Sequence, residues 1–364
     1  MVRYRDRFAN LASAGHFRRP EGVPGAGELW LSSIGIGTYL GDADEEADRA
    51  YAEAIRHAVE HGINVVDTAI NYRNQRSERN VGAALRESID GGRVARDEVL
   101  VCTKAGYMPF DADVPGDPGA YLRQQYVATG LAPTEEIAGG MHCMAPQYLA
   151  DQLERSRRNL GLEAVDVFYV HNPETQLGHM PPDVFYARLR RAFEFLESAV
   201  RDRKIQWYGA ATWNGFRANP ADRAHLSLER MVETAKEIAG EGHHFRFVQL
   251  PFNLAMLEAF AYGNQQRGDE AASMLVQAAE FGVAVVASGT LYQGNLAHGL
   301  PEQLKQTLGV EGDAEAAIQF VRSATKLTTA LVGMGQREHV EANLKVAAKP
   351  VMKSEAWEGL FSEG

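Results

Sequence analysis

Two cysteines in 364 residues, Cys102 and Cys143, are too few for a disulfide framework, and neither sits in a Cys-x-x-Cys pair or at a metal-ligand spacing. A reducing compartment is expected, and no metal site. Long apolar runs are lacking as well, so no segment reads as a membrane span. The arginine-bearing N-terminus MVRYRDRFANLASAGHFRRP has no apolar stretch of the kind a secretory signal needs, which makes the cytoplasm the expected location. Basic charge is in deficit. With 37 Lys and Arg against 48 Asp and Glu, the formal charge of −11 disfavours non-specific binding to nucleic acid or to anionic membranes. A Gly-rich GxGxxG turn is missing too, since GIGTYLG has a different spacing, and this counts against a doubly wound open sheet. What remains is a protein that acts on small molecules or meets protein partners, with a homo-oligomer compatible with both.

What is present is an alternation of short apolar runs with amphipathic stretches, sustained almost to the C-terminus. Eight runs read as strands, starting at Leu31, Ile63, Val99, Ala164, Gln206, Phe245, Val283 and Thr328. Between the first two, Ala47, Ala50, Tyr51, Ala54, Ile55, Ala58 and Val59 recur at helical spacing, with Gly62 at the expected end. Phe185, Leu189, Phe193, Leu196 and Val200 form a similar stripe. Strands apolar on both faces suit a parallel sheet covered by helices, and eight βα units are the number that closes a TIM barrel. The expectation is one (β/α)8 barrel over residues 1–364. Residues 107–145, rich in Pro and Gly, form a long insertion after the third strand, and a loop of that length reads as a lid over a binding site.

Four titratable residues fall at or just beyond strand ends: Asp67, Tyr72, Lys104 and His171. Singly, each has a plain structural explanation. Asp67 can cap a turn, Lys104 can snorkel from the rim, and His171 can be a satisfied core histidine. Four such groups converging on one rim of a barrel form the pattern of a catalytic site.

The run DTAINYRNQRSERNVG from Asp67 to Gly82 resembles the DTAxxYxxxxSExxVG segment of aldo-keto reductases, and VCTKAG and FYVHNPE resemble the segments carrying that family's lysine and histidine. GIGTYL, QLPFN, LYQGNL and VGMGQREHVEANL extend the resemblance from about Leu31 to Leu344. It implies a tetrad of Asp67, Tyr72, Lys104 and His171 that reduces a carbonyl as hydride arrives, with Tyr72 giving the proton. A lysine ammonium about 4 Å from a phenol, at an effective dielectric near 20, favours phenolate by about 4 kcal/mol, or roughly three pKa units. Lys104 is therefore expected to tune Tyr72 toward neutrality, with Asp67 holding the lysine and His171 orienting the carbonyl.

The resemblance also implies a nicotinamide cofactor, NADP with NAD as the alternative. Gly37, Thr38 and Tyr39 would line its site. The family's Ser-Asn pair after the fifth strand reads Ala211-Thr212 here, with Asn214 two residues on, while Gln249 matches the family's glutamine. Ser288 stands where the family has an aromatic residue, so either another aromatic such as Phe252 or Tyr292 covers the ring or the ring is held more loosely. Leu291, Gln293, Gly294 and Leu296 match a phosphate-side loop. Gly333, Met334, Gly335, Gln336 and Arg337 match the adenosine-phosphate turn, with Arg337 as the 2′-phosphate ligand, and Asn343 matches an adenine-side asparagine. Substrate contacts are expected from Tyr107, Phe110, Asn172 and Trp213, with Tyr39 and Glu174 beside them, a mixture that would suit a sugar or glycoside. Two other roles stay open: a nicotinamide-binding regulatory subunit, and an enzyme using transient oxidation for epimerisation or elimination.

Overall fold

Twelve strands run through residues 1–20 and 22–361, the part of the chain described by the computed structural model. In chain order they are β1 (Phe17–Arg18), β2 (Leu31–Ser32), β3 (Ile34–Gly37), β4 (Val65–Asp67), β5 (Leu100–Ala105), β6 (Val165–His171), β7 (Ile205–Ala211), β8 (Phe245–Pro251), β9 (Gln265–Arg267), β10 (Glu270–Ala272), β11 (Ala284–Ser288) and β12 (Leu327–Gly333). Parallel pairing closes eight of them into a barrel in the order β11, β12, β3, β4, β5, β6, β7, β8. The eight-stranded (β/α)8 barrel read from the sequence is the fold.

Side chains alternate between the barrel interior and the surrounding helices, as the two-residue period of a strand requires. Leu100 and Cys102, Val167 and Tyr169, Trp207 and Ala211, Phe247, Val286 and Leu331 fill the inside. Val66, Val101, Phe168, Val170, Ala210, Val248 and Leu250 belong to the larger cluster shared with the helices. The same alternation carries the inward row to the C-terminal ends of the strands, where Asp67, Lys104, His171 and Gln249 stand. Helix Glu45–Glu60 starts on Asp44, whose side chain accepts from the Ala47 N–H, and buries the predicted stripe from Tyr51 to Val59. Helix Pro182–Arg201 buries Phe185, Leu189, Phe193 and Leu196.

Three features add to the eight strands and their helices. The run from Leu31 is two strands, because β2 pairs antiparallel with β1 across the N-terminal end and the barrel pairing with β12 begins only at Ile34. Between them the Ser33 N–H donates to the His16 carbonyl. The stretch after β8 is a short helix, Glu258–Ala261, followed by the hairpin of β9 and β10. The 107–145 insertion has structure of its own: helix Pro118–Leu122, a π turn at Arg123–Val127 and a 3-10 turn at Thr134–Glu136. Its two ends are tied together where Cys143 N donates to Gly106 O and Met108 N to Met141 O. Among the described residues no helix is long and apolar enough to cross a membrane.

Candidate active site

Asp67, Lys104 and His171 reach the barrel mouth from β4, β5 and β6, and Tyr72 follows β4 by one short loop. Lys104 Nζ donates to Asp67 Oδ1 at 2.5 Å and to the Thr68 carbonyl at 2.8 Å, and lies 4.7 Å from the centre of the Tyr72 ring. The other Asp67 oxygen accepts from Gln249 Nε2 at 2.8 Å. Tyr72 presents its ring edge-on to His171 and to Tyr39, with centroids 5.8 and 5.0 Å apart. The structure thus brings all four tetrad candidates together.

Burial sets the direction of their titrations. It pushes the Asp67 carboxyl above its ordinary value, with Lys104 and Gln249 pulling against it. It pulls Lys104 down, but Asp67 and Tyr72 outweigh it, and the ammonium is held above its usual value. His171 is driven well below the ordinary imidazole value by burial and by Lys104, so its ring is neutral. Tyr72 reverses the expectation. Burial raises the phenol above its usual value by more than Lys104 lowers it, and the Asp67 charge beside the ammonium adds to the rise.

The loop that carries Tyr72 is strained and heavily braced. Arg73, Asn74 and Gln75 all take positive φ, at 46°, 54° and 71°, where each such residue costs on the order of 1–3 kcal/mol. Asp48 offsets this by binding Arg73 and Arg76, both at 2.7 Å, and Asn80 at 2.9 Å. Gln75 donates to the Phe110 carbonyl at 2.9 Å, which docks the start of the insertion on the Tyr72 loop. The rest of the SERNVG motif is structural. Ser77 Oγ donates to the Thr38 carbonyl. Buried Glu78 accepts from Thr103 Oγ1 at 2.6 Å and Asn159 Nδ2 at 2.8 Å, tying its helix to β5 beside Lys104. Gly82 lets that helix meet Pro146–Leu160: a Cβ there would lie 2.6 Å from the Asn159 carbonyl oxygen.

The cofactor candidates ring the same mouth in different states. Thr38 is committed to Asp67, donating to its carbonyl from both N–H and Oγ1. Thr212 is buried with its hydroxyl unpartnered. Phe252 cannot cover a ring in the mouth, because it is fully buried and stacked on Phe320. Tyr292 is 37% exposed and begins a left-handed run with Gln293 and Gly294. Met334 is fully buried, so only its backbone can face a ligand. Gln336 caps helix Arg337–Ala347 without a side-chain bond, and Asn343 on that helix is buried. Arg337 is not a free cation: Nε donates to Glu341 at 2.8 Å and Nη1 lies 3.7 Å from Glu53.

Of the substrate candidates, Tyr107 packs edge-on to His171 at 5.5 Å, and its hydroxyl shares a hydrogen bond with Thr175. Asn172, at φ 44°, directs its side-chain amide to Tyr107 Oη. Phe110 turns instead to Tyr121 within the insertion. Trp213 is 37% exposed, and its Cζ/Cη edge comes to 4.0 Å from where a Cβ on Gly289 would sit. Glu174 is an anchor, not a free rim acid. One of its oxygens accepts from the N–H groups of Trp213, Asn214 and Gly215 at 2.8, 3.0 and 3.3 Å, while the other is buried without a partner.

Sequence reasoning missed Gln249 as a ligand of Asp67, Glu174 as the brace of the 213–215 loop, and His142. It also missed two adjoining cavities of about 610 and 1180 Å³ at the opposite, N-terminal end of the barrel, which share Gly25, Ala164, Gln206 and Trp207. None of the site residues above lines them.

A parallel barrel with an acid, a lysine, a tyrosine and a histidine gathered at its C-terminal mouth has the architecture of a barrel enzyme, whose chemistry sits at that face. The chain belongs to the aldo/keto reductase family, whose sequence model matches residues 33–360. It is 29% identical over 212 residues to the aldo-keto reductase AMT2 of Alternaria alternata, covering 55% of this chain and 50% of that protein. It is 28% identical over 211 residues to a putative voltage-gated potassium channel subunit beta of Schizosaccharomyces pombe, covering 57% and 50%. The chain thus spans about half the length of these curated relatives. Its fold is shared with aldo-keto reductase AKR11C1 from Bacillus halodurans in its holo form, at TM-score 0.64 and 18% identity over 95% of both chains. An aldo/keto reductase from Klebsiella pneumoniae in complex with NADP and acetate is similar at TM-score 0.61 and 19% identity, again over 95% of both.

Proposed function

We propose that the chain interconverts a carbonyl and an alcohol by hydride exchange with NADPH/NADP+, with NADH/NAD+ as the weaker alternative. The observation that carries this is the buried Lys104–Asp67 pair set against the Tyr72 ring, with neutral His171 beside it. Two features support a dinucleotide at the mouth. Thr212, whose N–H donates to the Gln249 carbonyl, carries a buried hydroxyl without a protein partner that is able to receive a carboxamide. The uncapped N-terminus of helix Arg337–Ala347 offers free N–H groups to a phosphate. Trp213, at Gly289, supplies aromatic surface beside Ser288, where the family's own aromatic is missing.

When bound, the reduced nicotinamide supplies hydride. The protein's part is electrostatic and acid–base. Tyr72, kept protonated by burial, donates its phenolic proton to the oxygen on which negative charge develops. Lys104, held cationic by Asp67, then stabilises the phenolate that remains. Neutral His171 donates a hydrogen bond to the same oxygen and sets its direction. The 107–145 insertion, docked on the Tyr72 loop, walls the substrate side and excludes water, as a lid does. The substrate is a small carbonyl or alcohol, with Tyr107, Asn172 and Trp213 around it. Both cysteines are buried and unpaired, in keeping with a cytoplasmic setting.

Similarity to a channel subunit favours one other reading, a nicotinamide-binding regulatory subunit. NADPH consumption with a panel of aldehydes and ketones separates the two. Multiple turnovers per subunit are expected. Tight NADPH binding with no turnover across the panel overturns the enzyme reading and favours the regulatory one.

A further inference from the structure

Gly106, just after the Lys104 strand and before the insertion begins, lies against the backbone of the histidine at the end of β6. A Cβ on Gly106 would lie 2.5 Å from the His171 carbonyl oxygen and 2.7 Å from His142 Nε2. A side chain there is excluded, and into the space left free comes His142, from the far end of the insertion. His142 is fully buried, and its Nε2 lies 2.7 Å from the His171 carbonyl. Tyr107 packs edge-on to both rings, at 5.1 Å from His142 and 5.5 Å from His171.

The proton on His142 is fixed by a chain of groups whose roles admit one arrangement. Arg188 is donor-only, and Nη1 lies 2.8 Å from Gln176 Oε1, so the Gln176 amide oxygen must face it. The Gln176 NH2 therefore faces the Glu136 carbonyl at 3.0 Å and His142, 2.9 Å from its carbonyl and 3.2 Å from Nδ1. A carbonyl only accepts, so the ring proton sits on Nε2 and is donated to the His171 carbonyl, which leaves Nδ1 an acceptor toward the Gln176 NH2. Burial holds His142 neutral, down to about 4, which keeps this single tautomer. The carbonyl it satisfies lies where the chain leaves β6, just before Asn172 takes φ 44° and donates its N–H to Ala211.

We propose that His142 is a positioning residue for His171: by holding the His171 carbonyl through Nε2–H, it fixes the strand end from which the His171 ring is aimed at the substrate oxygen. The proposal rests on the reading of His171 as part of a carbonyl-reducing tetrad. The insertion is then joined to the reaction from both ends, through Phe110 at the Tyr72 loop and through His142 at His171.

The test compares His142→Gln, whose amide nitrogen can stand where Nε2 stood, with His142→Leu, which has no donor. Each variant is titrated with NADPH to count folded sites, then assayed per site. His142→Leu is expected to lose between about tenfold and a hundredfold in kcat, the range that misplacement of a reacting group by about an ångström produces, with NADPH affinity unchanged. His142→Gln is expected to recover most of it. In ¹⁵N-histidine spectra the His171 ring signals should move in His142→Leu and stay near their native positions in His142→Gln. Unchanged kcat per site, equal losses in both variants, or unmoved His171 signals in His142→Leu would each overturn the proposal. The spectra report on His171 whether or not a substrate is known. A wild-type protein that turns over no carbonyl removes the tetrad reading, and unmoved signals remove the positioning role independently.

Discussion

The two ends of the barrel treat buried polar groups in opposite ways. At the N-terminal end, under β1 and β2, they are mostly satisfied. His16 bonds Ser33 Oγ and the Gly62 carbonyl through its two ring nitrogens. Asn64 takes the Ser32 N–H and gives both amide protons, to Trp30 and Glu98. Arg322, fully buried, donates to Ser33, Gln319 and the carbonyls of Val346, Ala347 and Lys349. At the C-terminal mouth, Thr68 Oγ1, Asn71 Oδ1, His171 Nδ1, Glu174 Oε2, Thr212 Oγ1 and Thr290 Oγ1 are buried without partners. His243, beside the smaller cavity, and Tyr208 Oη are exceptions at the N-terminal end, the first with both ring nitrogens unpartnered. Unpaired buried groups cost about 1–3 kcal/mol each, so the mouth gives up stability that the other end retains. That is the division between a face kept for chemistry and a face kept for folding.

The comparison breaks most visibly at Tyr72. Tyr72→Phe removes one hydroxyl at the mouth and should lower carbonyl reduction by at least the ~10²- to 10⁴-fold typical of a general acid, with NADPH binding and thermal stability nearly unaltered. Because the phenol is raised, wild-type reduction should hold level through neutral pH and fall only above the ordinary tyrosine value of about 10. A variant retaining half the rate, with chemistry limiting, would end Tyr72's assignment. Arg322→Met is the mirror experiment. It orphans several buried carbonyls and should cost at least about 3 kcal/mol in denaturant unfolding, yet leave kcat per folded molecule intact. Lost activity at temperatures where the variant is still folded would show that the two ends are not separable.

Acid sharpens the contrast by a smaller amount. His16 and His142, one at each end, are held down to about 3 and about 4, so both are neutral when folded and take up protons on unfolding. Their folded values lie below the unfolded one, so each contributes stability that is fully present above about pH 6.5 and is lost as pH falls toward its folded value. For His142 the loss by pH 5 is about 2 kcal/mol. His142→Gln should flatten the stability difference between pH 7.5 and pH 5 by that amount. An unchanged pH dependence would mean that His142 is charged in the folded protein.

Much of this was legible in the amino-acid order because strand periodicity and site chemistry coincide. Asp67, Lys104 and His171 continue inward rows whose earlier members are apolar, so each stands out where an apolar run ends. The roles that escaped notice act through partners distant in sequence. Gln249 meets Asp67 across 182 positions and His142 meets His171 across 29. Nothing about a histidine in an irregular insertion says which carbonyl it will find. Glu174 was visible but misassigned, because an acid after a strand reads as a rim group until three N–H groups of another loop are seen to converge on it. The direction of the Tyr72 shift was missed because pairwise attraction to Lys104 can be estimated from residue types, whereas burial cannot.

The smallest effect is expected at Arg337, where the mouth is most exposed to solvent. A free arginine at a 2′-phosphate forms charge-assisted bonds, but this one starts from a bond to Glu341 and a longer contact with Glu53, both on the surface and readily exchanged. Gripping NADPH means giving up part of that pairing, so the preference over NADH that depends on Arg337 should be about tenfold or less. Arg337→Ala should weaken NADPH and spare NADH in fluorescence titrations. Glu341→Gln should do the reverse, tightening NADPH by a few-fold (roughly two to five) as the guanidinium is released, with NADH again unchanged. Added salt should shrink both differences, because the charges involved are solvated, whereas it should leave the His16 and Arg322 networks at the N-terminal end unaffected. Equal changes for the two cofactors in either variant would mean that Arg337 does not read the 2′-phosphate, and the preference would then have to come from the N–H groups that open helix Arg337–Ala347.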